Sequence, residues 1–594
     1  MADPGEVDGR AAGDVAGGAA GDAAGGAAGD VAGGAAGGAE GSRPATGRSD
    51  GAVSGRARTE SFRRLRIISL VLGVLVLFAV LDRTGGSSPG SATQAVSLQG
   101  NPMAAPAGAL SSSWFCAGAT AATPAAAAST ATTTTTSTTT VPASAAASSL
   151  PVSRPSPYGE ADGQLVIVNA GASQAAATIT EVSSGGSSVN SSVDVPARGS
   201  VTVPESAPGG TGWEGAIVEV DAGQVVVDQS VNGPLGASSS PCATSGSSSW
   251  YLLTGQTRVN ADEFISLLNP YPSATIVDLS FVTNQGVEQP QNFQGVDVPA
   301  DGLVSVDLGT YLSRRSAIEA TVTARTGSVV AWETEIVTPP LTGAPLVGSA
   351  AASKPLADPA WPIAGVTVNL GAPAAATSWV WPDGLAGGGV QEQYVVYNPG
   401  SRPARVRLSI GLAGGAAEPL AFSVGAGQVV PVVSEQQARI PAGVAHSATL
   451  ASVNGVPVVA ERTLTASQAA NPVAGATGTV NGNGQILGGT VSSRSWVIGS
   501  AAADAHHVGQ LVVFNPGATT VTVRVSKLSP GAPESLVAGV VTLRPGGRSA
   551  LGISSTVAGP IQVSATGPVV AEYDIYGTGG SNGVGLSLAA PMSN

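Results

Sequence analysis

Tryptophan stands nineteen residues ahead of an asparagine at three places in the chain: Trp250 before Asn269, Trp379 before Asn398 and Trp496 before Asn515. Each asparagine closes an apolar run, Ile265-Ser266-Leu267-Leu268, Tyr394-Val395-Val396-Tyr397 and Leu511-Val512-Val513-Phe514, and each is followed by proline. A fixed interval between an aromatic anchor and the end of an apolar run marks one folding unit that has been copied. A first copy carries Trp114 and Asn169, at a longer interval. Residues 119–153 account for the excess: they are Ala/Thr/Ser-rich, with Thr132 to Thr136 consecutive. That stretch reads as a low-complexity insertion looping into solvent after the copy's first strand.

Further landmarks follow each asparagine in the same order. Val277-Asp278-Leu279-Ser280-Phe281, Val406-Arg407-Leu408-Ser409-Ile410 and Val521-Thr522-Val523-Arg524-Val525 alternate apolar and polar residues, the period of a half-buried strand. A valine-flanked turn comes next, then a hairpin centred on Gly223, Gly327, Gly455 or Gly567, where glycine supplies the positive φ of a tight turn. About seven short strands in about 100 residues predict an antiparallel β-sandwich of immunoglobulin-like kind. A propeller suits this pattern less well, because its blades are four-stranded. The expected fold class is all-β: four immunoglobulin-like sandwich repeats, preceded by a disordered tail and one transmembrane helix. The repeats span 111–245, 246–340, 378–475 and 490–594, with a linker at 341–377 dividing them into two pairs.

The N-terminal region has a different character. Residues 1–60 are Gly/Ala/Asp-rich, with almost no large side chain to offset the entropy of ordering, and read as a disordered tail. Arg56, Arg58, Arg63, Arg64 and Arg66 then precede an uncharged run from Ile67 to Leu81. With arginines snorkelling at either end, residues 64–82 read as an uncleaved signal anchor. A cleaved signal peptide and a buried helix are the competing readings. The arginine asymmetry places residues 1–60 in the cytoplasm and the rest outside the membrane, with 83–110 as a tether. Secretion after cleavage is the alternative localisation.

The chain carries a formal net charge of −13, and only 11% of its residues are charged. It has no basic face for nucleic acid, which excludes that partner class. Its two cysteines, Cys116 and Cys242, bracket the first repeat. In an oxidising compartment they form a candidate disulfide that ties the first strand to the end of its domain; two buried free thiols are the alternative.

No arrangement typical of an active site appears. His446, His506 and His507 are the three histidines, and none sits in a metal-ligand spacing. His506 and His507 are adjacent, so on a strand they face opposite ways. Asp228, Glu333, Glu461 and Glu572 recur five or six residues after the turn glycine of each copy. They read as a strand-end feature partnered by arginine, rather than as a catalytic pair. Trp114, Trp250, Trp379 and Trp496, with Asn169, Asn269, Asn398 and Asn515, read as repeat-core residues, while Trp213, Trp361 and Trp381 read as candidates for exposed contacts. No catalytic residue, cofactor or metal is expected.

Trp114-Phe115-Cys116, Trp250-Tyr251 after Cys242, the Asn-Pro pairs, Val298-Pro299-Ala300 and Ala324-Arg325-Thr326-Gly327-Ser328-Val329-Val330 resemble an actinobacterial family of secreted or membrane-anchored proteins whose domain has no assigned function. The resemblance covers about residues 110–594. It implies an envelope location and carries over no catalytic residue. The function expected is that of a non-enzymatic, membrane-anchored extracytoplasmic envelope protein with a binding, scaffolding or assembly role and an envelope protein or glycan as partner. The alternatives are a glycan-active envelope enzyme with its site between repeats, or an accessory subunit of an integral membrane enzyme.

Overall fold

The computed structural model describes residues 101–120, 161–206, 212–338, 364–474, 476–499, 506–531, 534–553 and 559–593. The Gly/Ala-rich tail, the 64–82 segment, residues 83–100 of the tether and most of the insertion lie outside these residues. Among the described residues the fold is all-β, and no helix is long and apolar enough to cross a membrane. This corrects the expected transmembrane helix and signal anchor. The single-pass membrane localisation built on them is withdrawn. The regular backbone that is described satisfies its hydrogen bonds through sheet ladders, with only single 3-10 turns between strands.

The first repeat shows the plan. Its strands are β1 (Ser112–Thr120), β2 (Gly163–Asn169), β3 (Ala175–Ser183), β4 (Ser188–Val195), β5 (Gly199–Pro204), β6 (Trp213–Val220), β7 (Val225–Gly233) and β8 (Gly236–Pro241). One sheet runs β1-β6-β3-β4 and the other β5-β2-β7-β8, with every pairing antiparallel. The immunoglobulin order keeps its first two strands in one sheet; here β1 and β2 lie in opposite sheets, so the connectivity differs. Alternation works as expected in the strand after each asparagine: Val277, Leu279 and Phe281 are buried, as are Val406, Leu408 and Ile410.

The expected hairpins are corners. β6 and β7 belong to different sheets, so the chain crosses the core between them. In the fourth repeat a single strand, Ile561–Gly577, does this without a break, pairing with one sheet at its start and the other at its end. Gly327 and Gly455 take the positive φ that such a corner needs (71° each), and in the first repeat that conformation passes to Gln224 (57°).

One strand of each repeat, the eighth in the first, decides the architecture. These strands are Gly236–Pro241, Gly365–Leu370, Thr479–Leu487 and Val584–Leu588. The second of them lies inside the span read from sequence as a linker. Each packs on the next, and the fourth packs back on the first, so the four repeats close a ring around these axial strands. Val368 N donates to Ser238 Oγ at 3.1 Å, Leu370 N to Ser240 Oγ at 3.2 Å, and Asn369 Nδ2 to Gln485 Oε1 at 3.3 Å. Gly583 N donates to Asn481 O at 2.8 Å. The ends of the described chain also meet, since Ala104 bridges Met592 and Ala104 N donates to Pro591 O.

Closure explains why the second strand of each repeat is apolar without alternation. Leu165 to Asn169 and Tyr394 to Tyr397 are buried throughout, because one face meets the sandwich core and the other the ring interior. It also explains the small residues at the axis. A Cβ on Gly585 would lie 2.5 Å from Ala237 O, and one on Gly484 would lie 2.8 Å from Val584 O. The seam therefore needs bare backbone. Gly585→Ala is expected to destabilise the protein by about 1–3 kcal/mol through overpacking, whereas Gly414→Ala, which meets nothing within 4 Å, leaves the denaturant midpoint unchanged. Equal midpoints for the two variants would contradict the closed seam.

Candidate functional site

The four repeat asparagines are built into identical turns. Asn398 Nδ2 donates to Arg402 O at 2.8 Å and to Val424 O at 3.0 Å, while its Oδ1 accepts from Gly400 N at 3.0 Å. Asn169 bonds Ser173 O, Val195 O and Gly171 N, and Asn269 bonds Ser273 O, Val298 O and Tyr271 N. Asn515 bonds Thr519 O, Leu543 O and Gly517 N. All four are buried. A short side chain with two donors and one acceptor is what this turn requires, and aspartate supplies no donor.

The four tryptophans occupy one register. Trp114, Trp250, Trp379 and Trp496 pair with Val218, Val322, Leu450 and Val563, at 0–2% exposure. Three indoles donate to the carbonyl of a valine at the corner: Trp250 to Val329 (2.7 Å), Trp379 to Val458 (2.9 Å) and Trp496 to Val569 (2.9 Å). Trp114 Nε1 has no such acceptor among the described residues. Cys116 and Cys242 form a disulfide that closes the first repeat. Trp213 and Trp381, read as exposed contacts, are fully buried; Trp213 packs on Phe264 of the second repeat at 4.7 Å between ring centroids. Trp361 lies outside the described residues.

The recurring carboxylates lie at the joints of the ring. Glu461 of the third repeat accepts from Leu253 N of the second at 3.3 Å. Glu572 of the fourth accepts from Asp383 N of the third at 3.1 Å, and Asp228 of the first accepts from Gly499 N of the fourth at 3.0 Å. Each acid thus accepts from an amide in or just past the first strand of the preceding repeat, in one sense around the ring. At the remaining joint Thr334 Oγ1, beside Glu333, donates to Gly118 O at 2.6 Å. The expected arginine partner is seen for Glu572: Arg462 pairs with it at 2.6 Å, with both side chains fully buried.

Two polar clusters surround these joints. Between the second and third repeats, Glu335 accepts from Gln256, Asn483 and Gln485, and Asn369 Nδ2 donates to Glu461 at 3.2 Å. Burial pushes Glu335 and Glu461 up to about 7 and Glu263 and Glu333 well above the usual carboxylate range. Between the third and fourth, Glu392 meets His446 at 2.9 Å and Ser434 Oγ at 2.7 Å. Burial works against the Glu392 carboxylate, but the His446 charge overrides it and holds Glu392 at about 2; Glu392 in turn raises His446 against its own burial. A third group of acids lies in the first repeat, where burial lifts Glu181 to about 7, Glu205 to about 8 and Glu214 to about 9. Of the adjacent histidines, His507 is buried at a strand start and His506 is exposed. Among the described residues no group of three or more His, Cys, Asp or Glu is placed to hold a metal ion.

One concave feature of the ring is a cavity of about 190 Å³ at one end of the axial strands, with walls from all four repeats. Asn101 to Met103 cross its mouth, where Asn101 Oδ1 accepts from Thr490 N at 2.9 Å. The buried acids and His446 do not line it. At this cavity the buried ionisable side chains and the hollow are therefore separate, whereas Asp228 lines a smaller one of about 10 Å³.

Two measurements follow. Asn398→Leu leaves buried carbonyls unpaired and is expected to cost about 1–3 kcal/mol of stability by chemical denaturation, and Asn398→Asp, lacking the donors, is expected to fare no better. A carboxyl group raised in the folded state contributes its stability below its unfolded pKa and loses it as pH rises through the folded value. The raised His446 loses its contribution in the same direction, while Glu392 loses its own as pH falls from its ordinary value toward 2. Melting temperature is therefore expected to fall between about pH 5 and about pH 8.5. Glu335→Gln, which keeps the shape, should flatten that fall.

Residues 215–360 match a family described as a family of unknown function, DUF5719. The match begins in β6 of the first repeat, crosses the second, and stops short of the second axial strand. No curated protein matches the chain. Among solved structures, the chain is similar to the Streptomyces avermitilis alpha-L-rhamnosidase complexed with L-rhamnose at 9% identity, covering 67% of this chain and 53% of that one, with a TM-score of 0.11. The chain thus spans about half the length of that enzyme. A tetra-tandem repeat in the extending region of a large adhesion protein is 13% identical, covering 73% of this chain and 97% of that one, with a TM-score of 0.09. Scores this low carry no argument about fold or function.

Proposed function

We propose that the described part of the chain is a non-enzymatic binding or scaffolding module that works as one rigid body in an oxidising compartment. The observation that carries this reading is the placement of its ionisable side chains. Glu461, Glu572 and Asp228 accept from backbone amides of neighbouring repeats, and Arg462, Glu392 and His446 are wholly buried with their partners. Groups of this kind act on substrates when they converge on an accessible cleft; here they join repeats. A ring of stiff sandwiches exposes its loops in fixed relative positions, which suits recognition of a large partner. The disulfide agrees with an oxidising environment, and the resemblance to secreted actinobacterial proteins points the same way, toward an envelope protein or glycan as partner.

Crosslinking of the native protein in its host, followed by recovery and identification of what it holds, tests this. A discrete partner whose binding survives Glu392→Gln and His446→Asn is the expected result. Turnover of envelope glycans by the purified protein, abolished by those substitutions while the fold is retained, would overturn it.

A further inference from the structure

The axial cavity has no part in the scaffolding role, and its walls specify a ligand. Among the described residues no Asp, Glu, Lys, Arg or His lines it, so none of them offsets the desolvation of a charged molecule. Its walls include Trp250, Trp379, Leu370, Ile486, Leu588 and Met103. The two indole N–H groups already donate to Val329 O and Val458 O, which leaves their rings as apolar surface. Hydrogen-bonding side chains also line it, Ser239, Ser240, Thr244, Ser245 and Ser587 among them; Ser240 Oγ accepts from Leu370 N, and its own proton is given to no group among the described residues. A dry cavity of roughly 150 Å³ lined by aliphatic and aromatic side chains binds benzene; this one, at about 190 Å³, has room for a ring bearing a small polar group.

The mouth is crossed by a short strap. Asn101 is pinned through its Oδ1 to the backbone and hydroxyl of Thr490, and the chain is fixed again where Ala104 bridges Met592. Between these points lie Pro102 and Met103, the latter 37% exposed. We infer that the axial cavity is a binding site for a small uncharged molecule with an aromatic or compact apolar body and one hydrogen-bonding group, and that the Asn101–Met103 strap forms one wall of it. This goes beyond the scaffolding reading, and the failure of either leaves the other standing.

Saturation-transfer NMR on the full chain, with phenol as probe and benzoate as its charged counterpart, tests the inference. Transfer to phenol, none to benzoate, and loss of the phenol signal in Ala374→Trp, where the new ring occupies the cavity, are expected. Met103→Trp fills the same space from an exposed position and replaces Ala374→Trp should that variant fail to fold. No transfer to phenol in the unaltered protein would overturn the proposal. So would undiminished transfer in the folded filled variants, or equal transfer to benzoate.

Discussion

Four strands can share one axis only where side chains leave their backbones room to meet. Gly482, Gly484, Gly583 and Gly585, together with Ala237 and the serines after it, supply that room. Once the strands are in contact, the inner sheet of every repeat is covered on both faces. Its apolar runs then bury surface against a neighbouring repeat as well as against their own core. At about 25 cal/mol per Å² of apolar area removed from water, that second covered face makes the ring more stable than four separate sandwiches. Two continuous cores reflect this, one running through the first and second repeats and one through the third and fourth.

The buried acids take their meaning from the same closure. A lone carboxylate in a sheet interior is costly unless it is hydrogen-bonded or neutral. Here Glu461, Glu572 and Asp228 accept from amides in or just past the first strands of neighbouring repeats. The joint between the third and fourth repeats adds an ionic network through Arg462, Glu572, Asp383 and Arg548. The joint between the second and third relies on amide side chains and raised carboxyl groups instead. Unlike joints give each repeat one preferred neighbour, so the order around the ring is specified by polar contacts as well as by chain connectivity.

Much of this was legible in the residues. The nineteen-residue interval marked the repeats because the tryptophan and the asparagine do the same work in each, one at a fixed register in the core and the other in a three-bond turn. The cysteine pair was legible from its position around the first repeat. The ring was not, although its signal was present: Leu165 to Asn169 and Tyr394 to Tyr397 fail to alternate, which a sandwich with one wet face does not explain. The axial strands are not legible, because Gly236-Ala237-Ser238-Ser239-Ser240 and Asn481-Gly482-Asn483-Gly484 have the composition of loops. Close backbone contact selects the same small residues that flexibility does. His446 and the joint acids were also opaque, since their partners are distant in sequence: Glu392 lies 54 residues from His446, and Glu461 lies 208 from Leu253.

The central claim is that the fourth repeat closes on the first. Arg198 of the first repeat donates from its guanidinium to Gly531 O of the fourth, across 333 residues of chain. Pulsed dipolar spectroscopy between spin labels at R198C and P530C, both on the surface beside that contact, measures the closure directly. A closed ring predicts a single narrow distribution at the short end of the measurable range. A long or broad distribution, as four sandwiches strung in line would give, would contradict it.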